Sequence, residues 1–320
     1  MKLEILASIL AIVLIAGCTI PGMDLGLGTG TSLTGGNGLE ITEFTAEPTP
    51  LYTGSKVRIT MVVENRGGTT VSNSSSVVYL TGSNVDFSGD DTYWHPSDAG
   101  IKPYLSFAKD MKPADVVRGT PADTKTFTWT LTAPTVPAGQ TRTDTFYGRT
   151  YCDYSTGVNG NLWIYTEGEA NAAKASGRTT NKASFTSTTG PVGLGVKISP
   201  DPVIYYSSGE TFSLYITVSN LATGTIYLKG KSYSSGIPSL TETDYNQVVV
   251  SVDYDNSKLS LSNPSDCTGK QELPAGKSTT LVCDFTVSSP PTTFQSYPIT
   301  VTADYGYYTE RSASVTVQGK

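Results

Sequence analysis

Two stretches of this chain alternate strictly between apolar and polar positions. Val57, Ile59, Met61 and Val63 fall on one side of a two-residue period, and Phe212, Leu214, Ile216 and Val218 do the same later. Four repeats of that period predict strands with one buried face. Each stretch ends at an asparagine, Asn65 or Asn220, with glycine close behind, which signals a turn. Similar short segments at 126–131, 146–151, 248–252 and 280–287 are separated by Gly, Pro and Asn. Short strands at ~8–12-residue spacing predict an all-β chain of antiparallel sandwiches.

The two alternating strands belong to a longer repeat. Glu47-Pro48-Thr49-Pro50 precedes the first and Ser199-Pro200-Asp201-Pro202 the second, an offset of 200 − 48 = 152. Pro137-Ala138-Gly139 and Pro274-Ala275-Gly276 form a second pair of landmarks. Cys152-Asp153-Tyr154 and Ala303-Asp304-Tyr305 form a third, at 303 − 152 = 151. Each member of this third pair heads an expected hairpin, 146–154 with 161–166 and 297–305 with 310–317. The order predicts two homologous domains, 39–190 and 191–320, with an insertion at 83–126 in the first. The segment Thr186-Ser187-Thr188-Thr189-Gly190-Pro191 is polar and aperiodic, so few buried contacts are expected to cross it.

A different pattern opens the chain. The apolar run at about 5–16 is too short to span a ~30 Å hydrocarbon core and fits the core of a secretory signal. It ends in Leu14-Ile15-Ala16-Gly17-Cys18, which resembles the lipobox of prokaryotic lipoproteins, with Cys18 as the acylated residue. Residues 1–17 therefore read as a signal peptide. Residues 18–38 read as a lipidated cysteine followed by a glycine-rich tether with a mean reach of about 25 Å.

The paired Pro-x-Pro, the strand ending in Glu64-Asn65-Arg66-Gly67-Gly68, the Pro-Ala-Gly turn and the closing segment resemble the tandem Ig-like, CARDB-type domains of prokaryotic surface proteins, archaeal and S-layer-associated ones among them. The resemblance implies two Ig-like β-sandwiches, an adhesive or architectural role, and no catalytic residues. Localisation on the extracellular face of the membrane, lipid-anchored, follows from Cys18. The partners expected are the membrane, with surface proteins or glycans.

Composition narrows the chemistry. Only 16% of the 320 residues are charged, and Lys+Arg minus Asp+Glu is 22 − 28 = −6, which disfavours nucleic acid. The single histidine, His95, allows no multi-histidine metal site, and no Gly-x-Ser-x-Gly elbow is present. No enzyme, metal or cofactor is expected. Cys267 and Cys283 lie 16 residues apart in a compartment that permits a disulfide. Cys152 is left over as a buried thiol or an intermolecular partner. Within the insertion, Asp90, Asp91, Tyr93, Trp94 and Asp98 are candidate ligand-binding residues for a sugar, a peptide or Ca²⁺, and this gives the rival reading of a ligand-binding lipoprotein. Asn73-Ser74-Ser75 is an N-glycosylation sequon. The tyrosine clusters at 147–154, 205–206 and 297–308 suit either cross-strand packing or a recognition surface.

Overall fold

The computed structural model describes residues 33, 36–98, 100–231 and 236–320; Cys18 and the signal-like run lie outside the described residues. The first half contains β1 (Leu39–Glu47), β2 (Leu51–Tyr52), β3 (Lys56–Asn65), β4 (Ser76–Gly82), β5 (His95–Pro96), β6 (Tyr104–Ser106), β7 (Thr124–Thr132) and β8 (Thr141–Thr166). A helix α1 (Glu167–Ala175) and β9 (Ser184–Ser187) follow. The second half contains β10 (Val192–Ser199), β11 (Val203–Tyr205), β12 (Thr211–Asn220), β13 (Thr225–Tyr227), β14 (Gln247–Tyr254) and β15 (Leu259–Leu261). It ends with a short helix α2 (Pro264–Cys267), β16 (Gly269–Glu272), β17 (Ser278–Val287) and β18 (Phe294–Gln318). The chain is all-β and folds as a sandwich.

The alternating stretches become β3 and β12, the central strands of two four-stranded sheets ordered β1-β3-β7-β5 and β10-β12-β17-β15. Val57, Ile59, Met61, Val63 and their counterparts Phe212, Leu214, Ile216 and Val218 are buried. Both small sheets lie against one large sheet ordered β16-β14-β18-β8-β4-β6. The pairing is antiparallel except where β2 adds to β18 and β11 adds to β8.

The expected hairpins do not form. β8 runs unbroken for 26 residues, β18 for 25, and the two pair with each other from Phe294↔Tyr165 to Gln318↔Thr141. Phe146 thus faces Ala313 of β18 on one side and Gly82 of β4 on the other, rather than the 161–166 segment. The reason lies in the burial pattern. Tyr154, Thr156, Val158, Leu162 and Ile164 keep the period of two going through the region where a turn was expected, so the inward face continues past the half-buried Gly160. Asn159-Gly160 has the composition of a hairpin turn, yet Gly160 serves close packing. A Cβ there would run into the Ser184 carbonyl and the Phe185 ring of β9.

At the centre of this ladder Tyr154 pairs with Tyr305, its own equivalent in the repeat, with ring centroids 5.9 Å apart. The ladder is therefore pseudo-two-fold, and each long strand lies over one small sheet for half its length and over the other for the remainder. The expectation of few contacts across 187–190 does not hold, because the ladder joins the halves. The Pro-Ala-Gly turns also differ in place. Pro137-Ala138-Gly139 lies between β7 and β8, whereas Pro274-Ala275-Gly276 precedes β17, so they are not repeat equivalents. A turn triplet of this kind serves any strand connection.

Cys267 and Cys283 form a disulfide with Cα atoms 5.4 Å apart, tying α2 to β17. Among the described residues, no helix is long and apolar enough to cross a membrane.

Candidate functional site

The insertion is built into the first sandwich rather than left as a loop. Residues 84–94 hook back on themselves, with Trp94 N–H donating to the Asn84 carbonyl at 2.8 Å and Asp86 N–H to the Trp94 carbonyl at 2.8 Å. The Trp94 ring is 0% exposed and packs edge-on against Phe146 at 5.1 Å. Its Nε1 donates to Asp144 Oδ2 at 2.9 Å. Asp144, itself buried, also accepts from Asn84 Nδ2 at 3.0 Å and pairs with Arg142 Nε at 2.9 Å. A buried carboxylate survives only when its lone pairs are met in this way. Trp94 is thus a core side chain held by a buried polar network, with no ring face open to a ligand. Phe107 and Met111, further along the insertion, are buried as well.

The other candidates point elsewhere. Asp90 turns back on its own loop, accepting from Thr92 N–H at 2.8 Å and Thr92 Oγ1 at 2.7 Å, and these bonds hold its carboxyl below the usual range. Asp91 reaches His95 Nε2 at 3.6 Å, while Asp98 is exposed. Tyr93 is 40% exposed and does not stand over Trp94, whose ring faces inward. The structure therefore does not bring Asp90, Asp91, Tyr93, Trp94 and Asp98 together into one pocket, and among the described residues no group of three or more His, Cys, Asp or Glu is placed to hold a metal. Asn73 is half-buried in a 3₁₀ turn (Asn73–Ser75), its N–H donating to Asp110 Oδ1 at 2.9 Å.

The densest arrangement of polar and aromatic groups lies at the waist, around the Tyr154–Tyr305 pair. Tyr305 hydroxyl bonds Thr156 Oγ1 at 2.8 Å and accepts from Val192 N–H at 3.1 Å. Tyr154 hydroxyl accepts from Thr69 N–H at 3.2 Å, and Tyr307 hydroxyl accepts from Gly224 N–H at 3.1 Å. Three buried tyrosines thus cap backbone groups where the ends of the small sheets meet. Burial pushes all three phenols up. Burial also pushes the Cys152 thiol up to about 12, so it stays protonated, with Sγ–H directed at the Tyr307 carbonyl at 3.7 Å. Of the two readings of Cys152, the buried thiol is the one this placement fits, and an intermolecular partner would have to reach a side chain that is 1% exposed.

In a second, smaller core, Tyr151, Tyr227 and Val77 are buried, with Tyr79, Tyr104 and Tyr308 packed against them. Arg149 pairs with Glu310 and lies 5.8 Å above the Tyr308 ring. Arg66 bridges Glu40 at 3.0 Å and Glu64 at 2.8 Å. A groove of about 510 Å³ runs between Glu40, Arg149, Tyr308 and Arg311 on one side and the Thr223–Thr225 turn on the other. Its charged groups are already matched with one another, so it presents little net charge to a ligand.

Sequence reading located the tyrosines but not the network, since Asp144 lies 50 residues from Trp94 and carries no local signal. No family model matches the chain, and no curated protein matches it. Among solved structures, native alpha-2-macroglobulin of Escherichia coli is 9% identical with a TM-score of 0.23, covering 88% of this chain but only 17% of that one. The same protein activated by porcine elastase is 12% identical, with a TM-score of 0.20 and coverage of 84% and 32%. The Enterococcus faecalis MSCRAMM ACE is 9% identical, with a TM-score of 0.16 and coverage of 87% and 95%. Identities and scores this low establish no shared architecture.

Proposed function

We propose that this chain is a lipid-anchored surface protein whose all-β body serves adhesion or envelope architecture. In this reading a diacylglyceryl group on Cys18 holds it to the extracellular face of the membrane, and residues 19–38 connect that anchor to the body. The resemblance to CARDB-type, S-layer-associated domains and to an archaeal source belongs to the same proposal.

The observation that supports it most directly is the β8–β18 ladder. At ~3.3 Å per residue, 25 paired positions make a spine of about 80 Å. Its outer face carries cross-strand hydroxyl pairs, Thr143 with Thr316 at 3.1 Å and Thr145 with Ser314 at 3.1 Å. A long face with hydroxyl pairs at one end and tyrosines towards its middle suits a protein or glycan chain laid along it better than a small molecule enclosed within it. The burial of Trp94 takes one aromatic ring away from the ligand-binding rival.

The anchoring is tested by Cys18→Ser in the native host. Release of the variant into the medium, or its retention as an unprocessed precursor, is the expected result. Quantitative partition into carbonate-washed membranes at the mature size would overturn the lipid assignment.

A further inference from the structure

The most exposed apolar side chains in the described structure are adjacent. Val116 and Val117 are 92% and 97% exposed at the tip of a turn within the insertion. Two bare valines on a frayed loop would mean little, but this turn is tightly built. Asp115 N–H donates to the Thr120 carbonyl at 2.9 Å, and Thr120 N–H returns the bond to Asp115 at 3.0 Å. The Asp115 carboxylate accepts from Val117 N–H at 3.1 Å and Arg118 N–H at 3.0 Å, while Gly119 closes the turn at φ +66°. The valines are held outward by design of the backbone around them.

The base of the turn fixes where it projects. Asp123 N–H donates to the Lys112 carbonyl at 3.0 Å, and the Asp123 carbonyl accepts from Asn65 N–H at 3.2 Å, at the end of β3. The next residue, Arg66, donates its N–H to the Gly38 carbonyl at 2.9 Å. The valine tip and the point where the chain from Cys18 enters the fold therefore leave the same end of the same small sheet.

Charge completes the picture. Residues 109–125 carry Lys109, Lys112, Arg118 and Lys125 against Asp110, Asp115 and Asp123, a balance of 4 − 3 = +1 in a chain of net −6. All three aspartates accept backbone N–H bonds, whereas Lys112 and Lys125 are exposed.

We propose that the Val116–Val117 tip inserts into the headgroup and acyl boundary of the membrane that carries the chain, fixing the body's orientation on it. This rests on the reading of Cys18 as the lipid-bearing residue. A turn with only two apolar side chains offers far less than the ~800 Å² per partner of a standard protein interface. A bilayer needs only an apolar knob with basic flanks, and binding scales with the apolar area buried plus attraction to anionic lipid. The anchor supplies the rest. Only seventeen residues separate Cys18 from Gly36, so the tip meets the membrane at high effective concentration and a weak contact is enough.

The test uses the full chain, processed and lipidated in its host, in vesicles of phosphatidylcholine and phosphatidylglycerol. An environment-sensitive dye is placed on Val117→Cys and, separately, on Ser260→Cys in β15. Sedimentation reads the anchor, and quenching by lipids nitroxide-labelled near the headgroup reads the tip. The expected result is sedimentation of both variants, with quenching and a blue shift at position 117 alone, lost when Val116 is also changed to Asp. Sedimentation without quenching at 117 overturns the insertion and leaves the anchor standing. A chain that stays in the supernatant overturns the anchor and the insertion together.

Discussion

Single side chains in this protein take their roles from partners far away in sequence. Trp94 lies among aspartates and reads as a candidate ligand-binding residue, yet its indole is buried and hydrogen-bonded to Asp144. Trp94→Ala should therefore act on stability, costing ~3–5 kcal/mol as a buried large-to-small change. Urea unfolding checks this, and an unshifted midpoint would return Trp94 to the surface. Cys152, buried and with its thiol raised to about 12, should resist an alkylating reagent at pH 8 in the folded chain and react fully in urea. Asp244 gives a pH dependence. Lys231 Nζ at 2.8 Å and then the Thr241 N–H and hydroxyl, both at 2.8 Å, hold its carboxyl down to about 2. A folded value below the unfolded ~3.9 means the contribution is complete above about pH 4 and fades as pH falls towards 2. The stability of Asp244→Asn should accordingly fall less than that of the parent chain between those limits, in chemical denaturation at each pH.

At the scale of elements, the sequence was most legible where one strand decides its own environment. Strict alternation located β3 and β12, because a period of two needs only a buried side and an exposed side. It could not name the strand opposite. The alternation from Tyr154 to Ile164 is the same whether that segment turns back on 146–154 or runs straight along β18. Asn159-Gly160 favours the hairpin on local grounds, and only the closeness of β9 explains the glycine. The insertion failed for a related reason, since its buried residues are too sparse to show a period. The cysteine pair was readable because spacing and compartment suffice. Its removal should be felt mainly in the second small sheet. A 16-residue loop corresponds to roughly 3 kcal/mol in the chain-entropy model. Cys267→Ala with Cys283→Ala should thus raise hydrogen exchange in β17 and β15 more than in β3, and uniform exchange across both sheets would contradict a local staple.

For the whole molecule, the decisive fact is that β8 and β18 exchange coverage between the halves. Each half keeps its own small sheet but borrows half of its large-sheet strand from the other. Cutting the chain near Gly190 leaves β14 and β13 on one edge of β18 but strips β8 from the other along its 25 residues, exposing a row of free N–H and C=O groups of the kind that templates association. It also removes the part of β8 against which β11 pairs. The pseudo-two-fold at Tyr154 and Tyr305 indicates how the isolated half resolves this. Two copies of 191–320 can pair β18 with β18 about Tyr305, because an antiparallel register centred on one residue keeps inward positions facing inward on both strands. The fragment should therefore be a concentration-dependent dimer in light scattering, with cooperative unfolding that moves to higher urea as protein concentration rises. Adding the 39–190 half should convert it to a heterodimer with the native ladder. A cooperatively folded monomer at all concentrations would show that the second half closes its own sheet, and that the long ladder is an addition to two finished sandwiches rather than the element that completes them.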